Sequence, residues 1–373
     1  MIASSSAQSI PAKSAPTVCI FPEVLESGIG RYAINLSHAL MAEGARVDLF
    51  LTREYGDLID HKPKGARLLV GDGSTKASLG KLYRYLRREK PDLLITAHNH
   101  VNAASILVKA LAFVPTKLCV TIHTAMSRDD MSGNPRKKRI ISQLCRMTYP
   151  FANKVVAVSN AVADDTTEYL GLARQKIDVI YNPVVKDDLF NTTSEADHPF
   201  FKSGEPVFLS LGRLSEQKDF LTLLKAFRLV RKKQKAKLLI LGEGEDRKKL
   251  EAFIRENNLE GDVALLGFMQ NAYAYLAKAD AFVSSSLWEG LPTVLIEALA
   301  LGVPIVATDC PGGSSEILAG GEYGLLVKMS NPSDLAAAML TILKDPTPKS
   351  KLLARAKDFS FEASALSYLD LLT

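Results

Sequence analysis

The chain has 373 residues, 47% apolar and 23% charged, with a mean hydropathy near zero. That length favours two domains, the composition is that of a globular protein, and no stretch reaches the roughly 18 apolar residues of a membrane-spanning helix. The net charge of +5 is uneven: residues 1–185 hold 24 Lys and Arg against 16 Asp and Glu, and residues 186–373 hold 22 against 25. A basic first half fits an anionic partner or an ordinary solvated surface.

Residues 1–16 are small and polar and read as a tail rather than a signal peptide. "TVCIF" (17–21) is the first strand candidate, and "ESGIGRYAINL" (26–36) follows it. Gly28 and Gly30 there let backbone approach a phosphate at the start of a helix over Tyr32–Glu43. The third position of the glycine pattern is Ala33, and Arg53 and Glu54 follow the second strand "RVDLFL" (46–51). No clean acidic ribose ligand ends that strand, so a dehydrogenase is disfavoured.

Strand candidates continue at "ARLLV" (66–70), "DLLITA" (92–97), "KLCVTI" (117–122), "KVVAVS" (154–159) and "KIDVIY" (176–181). Continuous apolar strands separated by helices predict a parallel sheet covered on both faces. His123 ends the fifth strand, where it either points into a ligand cleft or is a satisfied strand-end histidine. "PRKKRIISQLCRMTYPFANK" (135–154) joins Arg136–Arg139 and Arg146 to Ile140, Ile141, Leu144 and Met147. Its apolar side either packs on the protein's own sheet or lies on an anionic membrane.

"NPVVKDDLFNTTSEADHPFFKSGEP" (182–206) has the Pro, Asp, Asn, Ser and Thr content of a linker. Beyond it the pattern restarts with "PVFLSLG" (206–212), "KLLILG" (237–242), "DVALLG" (262–267), "DAFVSSS" (280–286), "VPIVATD" (303–309) and "GLLVK" (324–328). The fold class is therefore α/β, two doubly wound parallel-sheet domains hinged near 183–205, with ligands expected in the cleft at the strands' carboxyl ends. Cys19, Cys119, Cys145 and Cys310 are far apart in sequence and fit buried thiols in a reducing compartment, so a cytoplasmic location is expected.

Three stretches of the second half carry chemistry. "LGRLSEQKDF" (211–220) follows its first strand, and Arg213 and Lys218 supply two cations suited to a diphosphate and to charge developing on a leaving group. "SSSLWEGLPTVLIEALALG" (284–302) places Pro292 at the first position of a helix that ends at Leu301 before Gly302. The free N–H groups and partial positive charge of that helix start are a seat for phosphate. Glu289 in the loop and Glu297 within the helix cannot hold phosphate; they suit hydroxyl groups of a sugar or a ribose. "GEGEDR" (242–247) is a turn whose acids fit a helix N-terminus. The tail 348–373 reads as two helices broken near Phe359.

Together these motifs resemble the retaining GT-B-fold glycosyltransferases of family 4, the glycosyl transferases group 1. "EGLPTVLIE" has the family's E-x7-E spacing, "LGRLSEQKDF" resembles its diphosphate loop, and "LGEGEDRKKLE" and "CPGGSSEIL" resemble flanking segments. The resemblance is strong over 206–330 and collinear over 17–185. It implies that Glu289 binds hydroxyls of the transferred sugar and Glu297 the ribose. It implies that Arg213 and Lys218 hold the departing diphosphate, with backbone from Gly290 through Leu291 to Thr293 adding contacts. Phe268 and Met269 would lie near the base, Gly28 in the family's glycine loop with Ser27 at its first position, and His123 near the transferred sugar. Residues 17–185 would bind acceptor, 186–355 the nucleotide sugar, and 356–373 would cross back onto the first domain.

The implied reaction is transfer of a hexose or N-acetylhexosamine from a nucleotide sugar, with a UDP-sugar favoured, to a glycan or lipid-linked acceptor. No cofactor is expected, and no D-x-D motif occurs in the sequence, so metal-independent chemistry is expected. Nucleic acid is not an expected partner; peripheral contact with an anionic membrane is. The alternatives are a nucleotide-sugar epimerase on the same scaffold, which needs no acceptor, and a non-catalytic nucleotide-sugar-binding protein.

Overall fold

A computed structural model describes residues 15–128, 135–186, 196–269 and 271–373. Most of the N-terminal tail and the middle of the linker lie outside the described residues. Every strand expected from the sequence forms. The first seven are β1 (Thr17–Glu23), β2 (Arg46–Leu51), β3 (Arg67–Val70), β4 (Leu93–Thr96), β5 (Lys117–Ile122), β6 (Lys154–Ala157) and β7 (Ile177–Val179). They make one parallel sheet in the order β3-β2-β1-β4-β5-β6-β7. The other six are β8 (Val207–Leu211), β9 (Lys237–Leu241), β10 (Val263–Gly267), β11 (Ala281–Ser284), β12 (Ile305–Thr308) and β13 (Leu325–Val327). Their order is β10-β9-β8-β11-β12-β13, again parallel.

The strands are apolar along their length because helices cover both faces of each sheet, leaving no solvent side for polar alternation. Strand β4 is buried throughout, and so is β12. In each sheet the strand order reverses beside the first strand, between β1 and β4 and between β8 and β11. Loops leaving those four strands diverge to opposite faces and open a crevice at their carboxyl ends. The glycine loop follows β1, His98 follows β4, Arg213 follows β8 and Glu289 follows β11. The topology thus places the motif residues of each unit at that unit's crevice.

Two helix starts differ from the sequence expectation. The first helix spans Ser27–Ala42, so Gly28 and Gly30 lie within its opening turn. Gly30 fits because a Cβ there would lie 2.7 Å from the Leu25 carbonyl carbon, so close packing overrides glycine's poor helix propensity. The motif helix spans Thr293–Leu301 with Pro292 as its N-cap, and Gly302 closes it at φ +70. Proline serves there because it supplies a carbonyl to Leu295 N and needs no donor of its own.

The units are joined by two neighbouring strands of chain. Val184 and Val185 both donate to the Phe359 carbonyl, and Phe361 donates back to Val185. The terminal helix Phe361–Asp370 then packs on Ser27–Ala42, where Tyr32 Oη donates to Tyr368 Oη at 2.7 Å in full burial. Glu316 of the second unit adds a polar clasp. Its carboxylate accepts from Asn160 N at 2.8 Å, Asn160 Nδ2 at 2.6 Å and Tyr181 Oη at 2.7 Å. Asn160 opens the helix Asn160–Leu170, so Glu316 satisfies a helix N-terminus across the cleft. All four cysteines are buried and none forms a disulfide.

Candidate active site

The loops after β8 and β11 are stitched to each other. Leu287 N donates to the Gln217 carbonyl at 2.8 Å, Gln217 Nε2 donates to the Trp288 carbonyl at 2.8 Å, and Ser285 Oγ donates to the Lys218 carbonyl at 2.7 Å. This fixes Lys218 beside Glu289. Lys218 Nζ donates to Glu289 Oε1 at 2.5 Å, and Ser286 Oγ donates to the same oxygen at 2.6 Å. The pair is nearly buried, with side-chain exposures of 18% and 7%. The cation and the loop carboxylate that sequence spacing assigns to different parts of one ligand therefore touch.

The segment after β12 holds this loop from behind. Glu289 N donates to the Pro311 carbonyl and Gly313 N to the Gly290 carbonyl. Gly290 abuts the first unit: a Cβ there would lie 2.0 Å from the His123 carbonyl oxygen, and Ser159 Oγ donates to the Gly290 carbonyl at 3.2 Å. Leu291, next along, is buried.

His123 is therefore beside the motif loop, but its ring is already engaged. Thr121 Oγ1 donates its proton to the Thr96 carbonyl and lies 2.8 Å from His123 Nε2, so the imidazole must donate from Nε2. The ring packs edge-on against Tyr32 at 4.4 Å. Burial, with the nearby His98, pushes its pKa down to about 3. His123 is a neutral ring with Nδ1 as its remaining acceptor. At neutral pH it carries no acid proton to give.

A second cluster surrounds Glu297. A cavity of about 480 Å³ between the units is lined by Gly28, Arg31, Arg213, Tyr273, Thr293 and Glu297, with Phe268 and Met269 at its wall. A Cβ on Gly28 would meet nothing within 4 Å, so its backbone faces open space. Arg213 is exposed, with Glu245 at 3.4 Å. Tyr273 Oη donates to Glu297 Oε1 at 3.0 Å. Burial raises the Glu297 carboxyl above its ordinary value, while the Tyr273 hydrogen bond and the Arg31 charge oppose that. The turns after β8 and β9 meet closely below the cavity: a Cβ on Gly242 would lie 1.9 Å from the Gly212 carbonyl oxygen. A larger hollow, about 770 Å³, lies elsewhere, between the helices Pro135–Thr148 and Asn160–Leu170; Arg139 and Arg146 of the basic helix line it, and none of Gly28, His123, Arg213, Lys218, Glu289 or Glu297 does.

Glu297 gives a testable consequence. A carboxyl whose pKa is raised by folding adds stability in its protonated form, and that contribution is lost as pH rises through the raised value. Glu297→Gln keeps the shape without the half-buried charge. Its ligand-free melting temperature should equal or exceed that of the wild type at pH 8. The difference should shrink towards the ordinary glutamate pKa of about 4.3. A variant less stable than the wild type at pH 8 would contradict this account of the site.

Arg31, Tyr273 and Ser286 were not singled out from sequence. Arg31 follows the glycine turn by one residue, so its place on the first helix turn is the one local signal; Tyr273 and Ser286 act through contacts that only the fold creates.

The chain is similar to known proteins over both units. The family described as "Glycosyl transferases group 1" matches residues 192–359, and "Glycosyltransferase Family 4" matches residues 27–188. An uncharacterized glycosyltransferase of Methanocaldococcus jannaschii is 30% identical over 76% of this chain and 79% of its own. An N-acetylgalactosamine-N,N'-diacetylbacillosaminyl-diphospho-undecaprenol 4-alpha-N-acetylgalactosaminyltransferase of Campylobacter jejuni is 35% identical over 61% of this chain and 62% of its own. The crystal structure of HepE from Anabaena with UDP and glucose superposes with a TM-score of 0.77 at 19% identity, covering 95% of this chain and 98% of that one.

Proposed function

Since the chain belongs to the family 4 glycosyltransferases and has their two-unit GT-B fold, we propose that it moves a hexose or N-acetylhexosamine from a UDP-sugar to a glycan or lipid-linked acceptor, retaining anomeric configuration. The observation that carries this is the cavity lined by Gly28, Arg213, Thr293 and Glu297, with Lys218 of the Lys218–Glu289 pair packed against Gly212 of its lining. In this reading the ribose hydroxyls donate to Glu297, displacing Tyr273. The diphosphate lies over the N-terminus of Thr293–Leu301, facing Arg213, Lys218 and the Gly28 backbone. The sugar donates a hydroxyl to Glu289, and the base stacks near Phe268 and Met269. UDP in the HepE complexes and the undecaprenol-diphosphate acceptor named for the Campylobacter relative support the substrate classes.

The bond from the sugar's anomeric carbon to the diphosphate breaks, and the acceptor oxygen bonds to that carbon on the same face. The acceptor proton passes to the departing diphosphate, whose growing charge Lys218 and Arg213 stabilise. The neutral His123 ring positions the sugar and takes no part in proton transfer. The reaction needs no metal.

The acceptor unit also carries an outward apolar surface. On Pro135–Thr148, Ile141 and Cys145 are buried, while Ile140 and Met147 face out with exposures of 68% and 63%. On the adjoining helix Asn99–Ala112, Leu107 and Leu111 are exposed, as is Phe113 at its end. Arg136 and Arg139 are exposed on the same basic helix. This supports peripheral contact with an anionic membrane. No described helix is long and apolar enough to cross one.

The test is transfer to undecaprenyl-diphosphate glycans from UDP-glucose, UDP-galactose and their N-acetylamino forms, with product configuration read by NMR. The account expects a lipid product with the donor's anomeric configuration, formed equally in EDTA, and flotation of the enzyme with anionic vesicles at low salt. An inverted product, or activity lost in EDTA and restored by a divalent ion, would overturn the chemistry. Failure to float would overturn the membrane contact.

A further inference from the structure

Beyond His123, a polar row at the carboxyl edge of the first sheet has no part in the donor site. Glu23 ends β1, His98 and His100 follow β4, and Thr75 opens the helix Thr75–Glu89. Glu23 Oε1 accepts from Thr75 Oγ1 at 2.9 Å, and Oε2 lies 3.1 Å from His100 Nε2. The His98 and His100 rings are 5.8 Å apart. His98 follows β4, which lies between β1, ending in Glu23, and β5, followed by His123. The row therefore runs His123, His98, Glu23, His100, from β5 across β4 to β1.

Two features mark the row as more than a core network. Glu23 and His98 both have left-handed backbone, at φ +80 and +70. Such conformations in residues with a Cβ cost about 1–3 kcal/mol each and persist where the surroundings enforce them, often at ligand sites. The side chains are also reachable, with Glu23 27% and His100 32% exposed. Among the described residues the His98 ring has no hydrogen-bond partner, and burial keeps it neutral.

The chemistry of the row is selective. A carboxylate clamped by Thr75 and His100 can only accept further hydrogen bonds, and a neutral imidazole can donate at one nitrogen and accept at the other. That combination reads hydroxyl groups. A phosphate or carboxylate brought against Glu23 would meet like charge. One end of the row is His123, whose carbonyl abuts Gly290 beside Glu289, so a group bound along the row points at the place where the donor sugar sits.

We propose that Glu23 and His98 bind the terminal residue of the acceptor, that this residue is a neutral, hydroxyl-bearing sugar, and that His100 and Thr75 are positioning residues for Glu23. Any charged part of the acceptor, such as a lipid diphosphate, lies beyond the row. The proposal rests on the glycosyl-transfer reading.

The test uses full-length enzyme saturated with UDP and titrated with octyl glycosides of glucose, galactose, N-acetylglucosamine and N-acetylgalactosamine, with glucose 6-phosphate as the charged counterpart. At least one neutral glycoside should bind, and better than the phosphate. Glu23→Gln and His98→Gly should each weaken it roughly tenfold or more, the loss expected for a hydrogen bond to a charged or buried polar group, with UDP affinity unchanged. His98→Gly removes backbone strain, so its stability should hold or rise while glycoside binding falls, which a purely structural role would not give. Unchanged glycoside affinity in both variants, preference for glucose 6-phosphate, or no glycoside binding to a UDP-saturated wild type would overturn the proposal. A wild type that does not bind UDP would instead overturn the glycosyl-transfer reading beneath it.

Discussion

Lys218→Ala is expected to lower kcat by roughly 10²–10³-fold, the loss typical of removing one group aimed at developing negative charge in a water-poor site. The lysine is held by the Ser285 contact to its carbonyl and by Glu289 at 2.5 Å, so its ammonium is fixed before substrate arrives. The same change leaves Glu289, 7% exposed, without its cation. Removing one partner of a buried pair costs about 3–5 kcal/mol. A lower melting temperature should therefore accompany the lost activity, and Lys218→Ala combined with Glu289→Gln should recover much of the stability but none of the rate. If the double variant regains activity with stability, Lys218 serves the fold and not the leaving group.

Gly290→Ala is expected to cost roughly 10²-fold in kcat/KM, as a displacement of about 1 Å at a reacting centre does. The added Cβ would sit 2.0 Å from the His123 carbonyl oxygen, a backbone atom that cannot swing away. The two units must part at the point where Gly290 meets His123, while the Glu316 contacts to Asn160 and Tyr181 resist. Nucleotide affinity should fall far less, because Glu297 and Thr293 lie on the second unit alone. Small-angle scattering or a crystal structure of the variant should show wider separation at this loop. Wild-type activity would mean that the units work at a larger separation than seen here.

The sheets were legible because parallel strands buried on both faces leave unbroken apolar runs, and no competing structure fits runs such as "KLCVTI" or "KLLIL" between helical patterns. Helix starts were less so. The opening turn Ser27–Gly30 contains two glycines and owes its helix to the Leu25 backbone packed against it, a contact invisible in local sequence. At the site, Glu289, Arg213 and Lys218 stood out because chain spacing sets them in loops after strands, and Glu297 because it lies on the helix that follows Glu289. Spacing does not reveal that Lys218 and Glu289 pair, or that Tyr273 and Arg31 face Glu297. Those are pairings between elements 24 or more residues apart, such as Tyr273 with Glu297, and between the two units. The row from His123 to His100 was hidden for the same reason: strand order, not sequence order, sets β1, β4 and β5 side by side.

The measurement closest to the central claim is thermal stabilisation by UDP, GDP, ADP and their sugar conjugates, in the wild type and in Glu297→Ala. A ligand that binds only the folded enzyme at about 100 times its Kd adds roughly 2.7 kcal/mol of stability. The account predicts a clear rise with UDP and UDP-sugars, a smaller or absent rise with GDP and ADP, and loss of the UDP effect in Glu297→Ala. An equal UDP shift in Glu297→Ala, or stabilisation by GDP or ADP in place of UDP, would contradict it.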